Sequence, residues 1–512
     1  MKSPKKAPKK KPPKTAKKTK LKALIRKKSS ISKKASSNPA IDDIFEDWNK
    51  DDSPGMAVAV RQNGQVVFRN GYGMADLDHG IRNLPDTVFH AASLTKQFTA
   101  MAIMMLINDP SLANTPITLN TNVNTNALIP ELAGITLPNS TARQPITIGQ
   151  LLHHTSGIRD QWVLATMAGW RLSDDVVTRD DVMKRFVGFS KSLNFAPGSK
   201  YSYSNTNYTI AGEIVKKVSG LSLPDFCKRH IFDPLDMKNT KIIETHGTIV
   251  ENRAYGYRVP PITGGDWQIR MPNYDLSGPT NLQTTVEDLM RWDANFDTMT
   301  VGGAAAFAAM LAKDPNSRDY GLGLFIENQS GFNIIEHNGR DAGYRSHLIR
   351  FPDQKLSIAL LANTNLVLPD LQATDTGTLV RQVANLFLGT LLPTPGSSAV
   401  PTMPGPMPSS LGEFTGLFHS DELDVTYTLN ANGTALQVTR EKYPTVTLTP
   451  LTGPRTFRTI TSTVSPPPPE FSNVLPKVKF TFFPAQGQIA GFSMDDLSGG
   501  DQLSSFKFEK VS

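Results

Sequence analysis

The chain has 512 residues, more than one ordinary domain contains, so two or more domains are expected. Its 39% hydrophobic and 20% charged residues are typical of a soluble globular protein. No run of about eighteen apolar residues occurs, which excludes a transmembrane helix, and the single cysteine, Cys227, excludes an intramolecular disulfide.

The first 40 residues differ from the rest of the chain in charge. They contain fifteen lysines, Arg26 and no acidic residue, which adds +16, so the overall +8 leaves −8 for the remainder. Because such a segment cannot bury enough apolar surface to fold alone, residues 1–40 are predicted to be a disordered basic tail. The tail is either a solubilising extension or an arm with weak, salt-sensitive affinity for a polyanion. It lacks the apolar stretch of a secretory signal, which favours a cytoplasmic protein unless export follows an unrecognised route.

Strand patterns occur on both sides of a mainly helical region. The predicted strands occupy residues 56–61, 65–69, 320–325, 347–351 and 356–361. The first two flank an Asn-Gly turn, as in a β-hairpin. Helices are predicted over 41–49 and 378–391, and residues 148–230 are mostly helices and loops. The two groups of strands therefore predict one sheet with a helical insert, in a domain spanning residues 41–392.

A linker and a second domain follow. Residues 393–410 are rich in proline, glycine and serine, a composition that is typical of linkers. Residues 411–512 contain two pairs of short strand patterns, each joined by a turn. These features predict a small antiparallel β domain, with a partly closed barrel as its architecture.

Ser93 and Lys96 form the first candidate site, where an extended segment gives way to an apolar helix. A serine in a first helical turn has its hydroxyl near unsatisfied backbone N–H groups and the positive end of the helix dipole. Lys96 projects from the same face, within reach of that hydroxyl. Its amine can orient the serine oxygen, lower the serine pKa or, if burial deprotonates it, take the serine proton.

Tyr203 and Asn205 form a second candidate site, on a loop that follows the Pro-Gly turn at 197–198. A phenol beside two cations can have its pKa pulled far below about 10 and act as a base near neutrality. The Asn205 amide can hold both a lysine and a substrate carbonyl.

His337, Gly339 and Arg340 form a third candidate site, on a predicted strand. A strand edge that lines a pocket can offer a backbone N–H to a developing oxyanion, and glycine lets a ligand approach closely. The histidine is expected opposite Tyr203, where it would favour the phenolate or hold a substrate carboxylate.

These motifs, Ser-x-x-Lys, Tyr-x-Asn and His-x-Gly in that order, resemble those of the family of class C β-lactamases, D-alanyl-D-alanine carboxypeptidases and related esterases. Stretches at 148–157, 195–205, 281–289 and 341–344 resemble the segments that accompany the family's motifs. The resemblance covers about residues 42–390. The C-terminal β domain resembles the lipocalin-like domains appended to some peptidases of this family.

The resemblance implies an α/β (α+β) fold of the β-lactamase/transpeptidase type, with the site between an antiparallel sheet and a helical domain. It implies that Ser93 is the acylated nucleophile and that Lys96 and Tyr203 share the role of base, either of which can be the residue that takes the proton. The backbone N–H groups of Ser93 and Arg340 would form the oxyanion hole. His337 stands where true β-lactamases have lysine, which favours the peptidase and esterase branches over efficient β-lactam hydrolysis.

The predicted function is therefore that of a serine hydrolase, without metal or cofactor, acting on esters, D-amino-acid peptides or β-lactams. One alternative is a catalytically idle protein that binds peptidoglycan-like peptides, although the presence of all three motifs counts against it. Another is a polyanion-binding protein in which the hydrolase body is secondary. The sequence does not indicate an oligomeric state.

Overall fold

The computed structural model of the chain describes residues 36–124, 128–137, 140–172, 174–188, 192–258, 266–365, 375–393, 410–433, 435–440, 445–450, 455–459, 478–485, 488–496 and 506–511. The predicted basic tail and linker lie outside these residues, apart from a few positions at their edges. Both therefore stay predictions, as do the domain boundaries.

Helices and strands follow one another along the described residues. The helices are α1 (Pro39–Asp42), α2 (Thr95–Asn108), α3 (Ile148–Leu152), α4 (Gln161–Met167), α5 (Asn205–Ser219), α6 (Leu223–Cys227), α7 (Val286–Thr298), α8 (Gly303–Leu311) and α9 (Thr376–Leu388). Short 3₁₀ turns occupy Asp43–Trp48, Ala92–Leu94, Pro110–Leu112, Pro130–Leu132 and Gly412–Phe414, and π-helical turns occupy Asp181–Val187 and Lys228–Phe232.

The strands before the C-terminal region are β1 (Met56–Gln62), β2 (Gln65–Tyr72), β3 (Met74–Asp76), β4 (Ile81–Arg82), β5 (Phe89–His90), β6 (Val177–Thr178), β7 (Lys241–Ile242), β8 (Tyr257–Arg258), β9 (Gln268–Ile269), β10 (Tyr274–Asp275), β11 (Leu282–Thr284), β12 (Phe325–Gln329), β13 (Phe332–Asp341), β14 (Tyr344–Phe351) and β15 (Leu356–Ala362). The strands of the C-terminal region are β16 (Gly416–Ser420), β17 (Val425–Asn432), β18 (Ala435–Arg440), β19 (Val446–Pro450), β20 (Thr456–Thr459), β21 (Val478–Ala485), β22 (Gln488–Asp496) and β23 (Phe506–Lys510).

A six-stranded antiparallel sheet is the centre of the first part of the chain. Its order is β12-β13-β14-β15-β1-β2, so strands from both ends of this region meet in one sheet, as the sequence predicts. The predicted hairpin joins β1 to β2. Asn63 and Gly64 between them have φ values of 50° and 83°, the left-handed conformation that a two-residue hairpin turn requires.

The strand predicted over 320–325 is wrong, because β12 begins only at Phe325. Two glycines explain the difference. A Cβ on Gly321 would lie 2.3 Å from Met310 O, and one on Gly323, which has a φ of +76°, would lie 2.8 Å from Lys96 O. The segment therefore forms a tight loop against α2 and the end of α8 instead of extending the sheet.

Helix α2 lies at the centre of the helical part and has no polar face over most of its length. Every side chain from Thr95 to Met104 is buried, and Phe98 packs against Trp292 of α7 with ring centroids 4.6 Å apart. Cys227 is fully buried, as expected for a small apolar side chain. The other face of the sheet is covered by α9 and by the helical segment that begins at Pro39. No helix in the described ranges has an apolar stretch long enough to cross a bilayer.

The C-terminal strands β16–β23 form a closed antiparallel barrel, more complete than the partly closed one predicted. Pairing of β16 with β23 closes it. The interior is filled with aromatic side chains that are at most 4% exposed: Phe414, Phe418, Phe457, Phe480, Phe482, Phe492, Phe506 and Phe508. The barrel docks on α4, where Tyr427 donates a hydrogen bond to Met167 O at 3.0 Å and the Arg440 guanidinium donates to Thr166 O.

Candidate active site

Ser93 lies in the 3₁₀ turn immediately before α2. The sequence predicted it in the first turn of the helix itself. The preceding residue, Ala92, has a φ of 47°, a conformation that costs a residue with a side chain about 1–3 kcal/mol. A Cβ on Gly339 would lie 2.6 Å from Ala91 O, so β13 passes directly against this turn. The third motif and the candidate nucleophile are therefore in backbone contact.

Lys96 is fully buried, and its Nζ contacts three oxygens. Ser93 Oγ lies at 3.0 Å, Asn205 Oδ1 at 2.8 Å and Pro279 O at 3.0 Å. The two carbonyl oxygens can only accept hydrogen bonds, whereas the serine hydroxyl can also donate one. A neutral amine has two hydrogens and one lone pair, so it satisfies this environment when the lone pair faces Ser93.

Burial lowers the pKa of Lys96 from 10.5 to about 7, while the carboxylates of Asp160 and Asp341 oppose the shift. The ammonium form is also stabilised by two aromatic rings, because Nζ lies 4.9 Å from the ring centre of Tyr203 and 5.6 Å from that of Tyr208. Lys96 therefore changes its charge close to neutral pH.

Tyr203 donates its phenolic hydrogen to Ser93 Oγ at 3.1 Å. The tyrosine predicted as a possible base is thus beside the hydroxyl, but its pKa changes in the opposite direction to the one expected. Desolvation raises the pKa of Tyr203 well above 10, and the hydrogen bond to Ser93 offsets only part of this effect. The expectation of a phenolate near neutral pH is wrong, because burial of the phenol disfavours its charged form.

His337 is a neutral imidazole with both ring nitrogens bonded. Its Nδ1 lies 2.6 Å from Asn338 O, and since a carbonyl only accepts, Nδ1 carries the hydrogen. Its Nε2 then accepts from the Tyr320 hydroxyl at 3.0 Å. Burial and the nearby Lys96 lower the pKa of His337 to about 3. The ring lies near Tyr203, with centroids 6.3 Å apart, but it supplies no positive charge to a phenolate or a substrate carboxylate.

Residues 202–209, which contain the second motif, are bound to residues 154–161 by several hydrogen bonds. They join Ser202 N to His154 O, Ser204 N to His154 Nδ1, Asn205 N to Asp160 Oδ2, Thr206 Oγ1 to Arg159 O, and Thr209 Oγ1 to Gln161 Oε1. Asn205 Nδ2 also donates to Asp160 Oδ2 at 2.8 Å. The Asn205 amide is therefore shared between Lys96 and Asp160.

Asp341 joins the end of β13 to the strand that precedes Ser93. It accepts hydrogen bonds from Thr280 Oγ1 at 2.7 Å and from His90 Nε2 at 3.0 Å. Burial raises the pKa of Asp341, but the hydrogen bonds from His90 and Thr280 outweigh it and keep the pKa below its usual value. Ser346 of β14 adds a hydrogen bond to Ala91 O at 2.7 Å. This network joins the segment that carries the third motif to the segment that carries Ser93.

The structure thus brings Ser93, Lys96, Tyr203 and Asn205 into direct contact, and His337 and Gly339 border them. Sequence reasoning missed Asp160, Pro279 and Tyr320. Asp160 carries a visible signal as an acidic residue before a helix, which is typical of an N-cap. Its role at the site has no such signal, because its partner Asn205 is 45 residues away.

The described part of the chain offers little evidence for a metal site or for a second nucleophile. No group of three or more His, Cys, Asp or Glu side chains there is arranged to hold a metal ion. The Cys227 thiol is fully buried, and burial raises its pKa, which disfavours a reactive thiolate. A reaction without metal or cofactor stays a prediction.

Comparison with known proteins identifies relatives of this arrangement. The family model described as "Beta-lactamase" matches residues 41–381. A D-aminopeptidase of Gluconobacter oxydans is 26% identical over 314 residues, which are 60% of this chain and 56% of that protein. Protein flp of Staphylococcus aureus (strain MW2) is 28% identical over 344 residues, 64% of each protein. The chain thus spans less than two thirds of the length of these curated relatives.

Solved structures share the fold. The octameric penicillin-binding protein homologue from Pyrococcus abyssi has a TM-score of 0.55 and 20% identity, covering 96% of this chain and 99% of that one. The D-amino acid amidase from Ochrobactrum anthropi SV3, complexed with L-phenylalanine, has a TM-score of 0.53 and 21% identity, covering 69% of this chain and 99% of that one. The predicted β-lactamase/transpeptidase-like fold is confirmed.

Proposed function

The chain belongs to the beta-lactamase family, and from that premise we propose that it is a serine hydrolase acting through an acyl-enzyme on Ser93. The observation that carries the proposal is the position of the Ser93 hydroxyl. Its oxygen lies 3.0 Å from Lys96 Nζ and 3.1 Å from Tyr203 Oη. A proton acceptor and a proton donor are therefore both within hydrogen-bond reach of the nucleophilic oxygen.

Lys96 is the base in this proposal. With a pKa of about 7 its amine is substantially neutral at physiological pH, and in that form it can direct its lone pair at the Ser93 hydroxyl, 3.0 Å away. Tyr203 stays protonated, so it acts as a donor rather than a base. A base whose pKa is close to the working pH combines a useful neutral fraction with a useful affinity for the proton.

Acylation then proceeds in balanced steps. Ser93 Oγ attacks the substrate carbonyl carbon as its proton moves to Lys96, and the carbonyl oxygen takes the negative charge. When the tetrahedral intermediate collapses, the bond to the leaving nitrogen or oxygen breaks. The leaving atom receives a proton from Tyr203, which regains one from the Lys96 ammonium. Water then attacks the acyl carbonyl, its proton passes through the same groups, and Ser93 leaves as the hydroxyl.

The negative charge on the carbonyl oxygen requires donors. We assign this role to the backbone N–H groups of Ser93 and Arg340, with Gly339 allowing close approach. Support comes from the packing of Gly339 against the turn before Ser93 and from the position of residues 337–341 beyond the end of β12, which pairs with β13 only up to Glu336. That part of β13 is an edge that can pair with a substrate backbone.

The substrate class follows from His337 and from the relatives. A neutral imidazole that is already bonded to Tyr320 offers no charge to a substrate carboxylate, which disfavours carboxypeptidase action. A D-aminopeptidase is a sequence relative, and a D-amino acid amidase shares the fold. Amides and esters of D-amino acids are therefore the proposed substrates, ahead of β-lactams.

A labelling experiment and a substrate panel test the proposal. The protein is treated with a fluorescent phosphonate and a fluorescent penicillin, and the adduct is mapped by peptide mass spectrometry. The panel compares D- and L-amino acid p-nitroanilides, p-nitrophenyl esters and nitrocefin, with Ser93→Ala as the control. We expect phosphonate label on Ser93 and turnover of D-configured amides. Absence of label and turnover would support the idle binding protein instead.

A further inference from the structure

Asp160 is a buried carboxylate that lies behind the site and does not touch Ser93. It is the N-cap of α4 and is only 2% exposed. Its Oδ1 accepts from Trp162 N at 2.9 Å and Val163 N at 3.2 Å, which caps the helix. Its Oδ2 accepts from Asn205 N at 2.6 Å and Asn205 Nδ2 at 2.8 Å.

The four donors indicate that Asp160 is ionised. Burial raises the pKa of Asp160 above the usual value of a carboxyl, and the hydrogen bonds from Asn205, Val163 and Trp162 only limit that rise. A protonated carboxyl would have to direct its own hydrogen at an N–H donor, since both oxygens already face such donors. Each oxygen of a carboxylate, in contrast, readily accepts two hydrogen bonds.

The charge of Asp160 decides which way the Asn205 amide points. A carboxylate accepts and never donates, so the amide nitrogen must face Asp160 and the amide oxygen must face Lys96. In the reversed orientation, the amide oxygen would face the carboxylate and the NH₂ group would face the lysine. Both contacts would then be repulsive or unsatisfied in a buried site, which is unfavourable.

We propose that Asp160 is a positioning residue, which fixes the Asn205 amide with its oxygen towards Lys96 and so holds the lysine amine beside Ser93. This inference rests on the proposed function, because it assigns Lys96 the role of base. It also gives a role to the hydrogen bonds between residues 154–161 and 202–209. Through them, the carboxylate of Asp160, the amide of Asn205 and the amine of Lys96 form one chain of contacts that ends at Ser93.

Asp160 also influences the charge of Lys96, and the other ionisable groups around the lysine do so too. The groups that face Lys96 from the neighbouring elements are Asp160, Asp341, His154, His337, Tyr203 and Tyr208. The histidines are held neutral and the tyrosines protonated by burial. The two aspartates are therefore the charges that favour the ammonium form, and removal of one should make Lys96 easier to deprotonate.

Asp160→Asn tests the proposal, because asparagine caps a helix about as well as aspartate and has the same shape. Asp375→Asn is the matched control: Asp375 caps α9 in the same way, by accepting from Thr378 N, and α9 packs on the face of the sheet opposite α2. For each variant we would measure the rate of Ser93 acylation by a p-nitrophenyl ester from pH 5 to pH 9. Lysine labelled with ¹⁵N and ¹³C would give the pKa of Lys96 directly by NMR.

We expect two changes in Asp160→Asn and neither in Asp375→Asn. The maximal acylation rate should fall about 10- to 100-fold, as expected for loss of a hydrogen bond to a charged group. The acid limb of the pH profile and the NMR titration of Lys96 should both move to lower pH. A role in capping alone would change stability and leave both titrations in place, and that result would overturn the proposal.

The readouts separate this inference from the proposed function. If the wild-type protein is not acylated, the proposed function fails, and the NMR titration still decides whether Asp160 acts on Lys96. If the wild-type protein is acylated and Asp160→Asn matches Asp375→Asn in rate and titration, only the role of Asp160 is refuted. Asp160→Ser, which retains a capping oxygen, is the second variant should Asp160→Asn not fold, and it should shift the titrations in the same direction.

Discussion

Burial of Lys96 should destabilise the folded protein in a way that depends on pH. A lowering of its pKa from 10.5 to about 7 corresponds to about 5 kcal/mol. Below pH 7 the folded and unfolded states both hold the proton, and folding carries this whole penalty. Between pH 7 and 10.5 the unfolded state holds the proton and the folded state does not, so stability rises with pH. Above 10.5 the penalty is absent.

Lys96→Met isolates this effect, because methionine fills a similar volume and never carries a charge. The variant leaves Asn205 Oδ1 and Pro279 O without their donor, which adds a cost that does not vary with pH. The free energy of unfolding of the variant minus that of the wild type should therefore fall by about 1.4 kcal/mol for each pH unit above 7. Between pH 7 and pH 9 the total is about 2 kcal/mol, because Lys96 of the folded protein is still half protonated at pH 7.

Urea unfolding at pH 6, 7, 8 and 9 measures this difference. Tryptophan fluorescence is a suitable signal, because Trp292 packs on Phe98 of α2 and reports on the core that contains Lys96. Lys238→Met, at a side chain that is 79% exposed, is the control and should show no such slope. If the difference in free energy of unfolding between Lys96→Met and the wild type stays constant across this pH range, the inference that Lys96 loses its proton on folding is refuted.

Three further substitutions test the contacts around the site. Tyr203→Phe should slow acylation of an amide by about 10²–10⁴-fold and that of a p-nitrophenyl ester by much less, because only the amide leaving group needs a proton; equal losses on both substrates would count against Tyr203 as the donor. Gly339→Ala should reduce phosphonate labelling, since the new Cβ would lie 2.6 Å from Ala91 O, whereas Gly134→Ala meets nothing within 4 Å and should label normally. Glu422→Gln should lower stability by about 3 kcal/mol, measured by urea unfolding, because it leaves a buried arginine without its carboxylate partner; an unchanged midpoint would show that the barrel contact contributes little.

The sequence predicted the elements that depend on a local pattern of residues. It missed the contacts between segments that are far apart in sequence and meet only in the folded protein. The hairpin around Asn63 and Gly64 was predictable because its turn geometry is encoded in two adjacent residues. The strand expected over 320–325 was not, since the packing of Gly323 against Lys96 O depends on a segment more than two hundred residues away. Burial explains the error about Tyr203: a single sequence shows which charged residues the chain contains, but not how completely water is excluded from a given side chain.

The barrel and the cleft share one structural element, the segment from His154 to Met167. One side of this segment is bonded to the second motif through Asp160 and its neighbours. The other side is bonded to the barrel through α4, and the Arg159 guanidinium pairs with Glu422 and lies 4.9 Å from the ring centre of Phe506. Arg159 and Asp160 are adjacent, so the contacts to the barrel and the contacts to the Asn205 amide meet on one stretch of backbone. We expect the barrel to support the site through this backbone, because Asn205 Oδ1 accepts from Lys96 while Asn205 Nδ2 donates to Asp160.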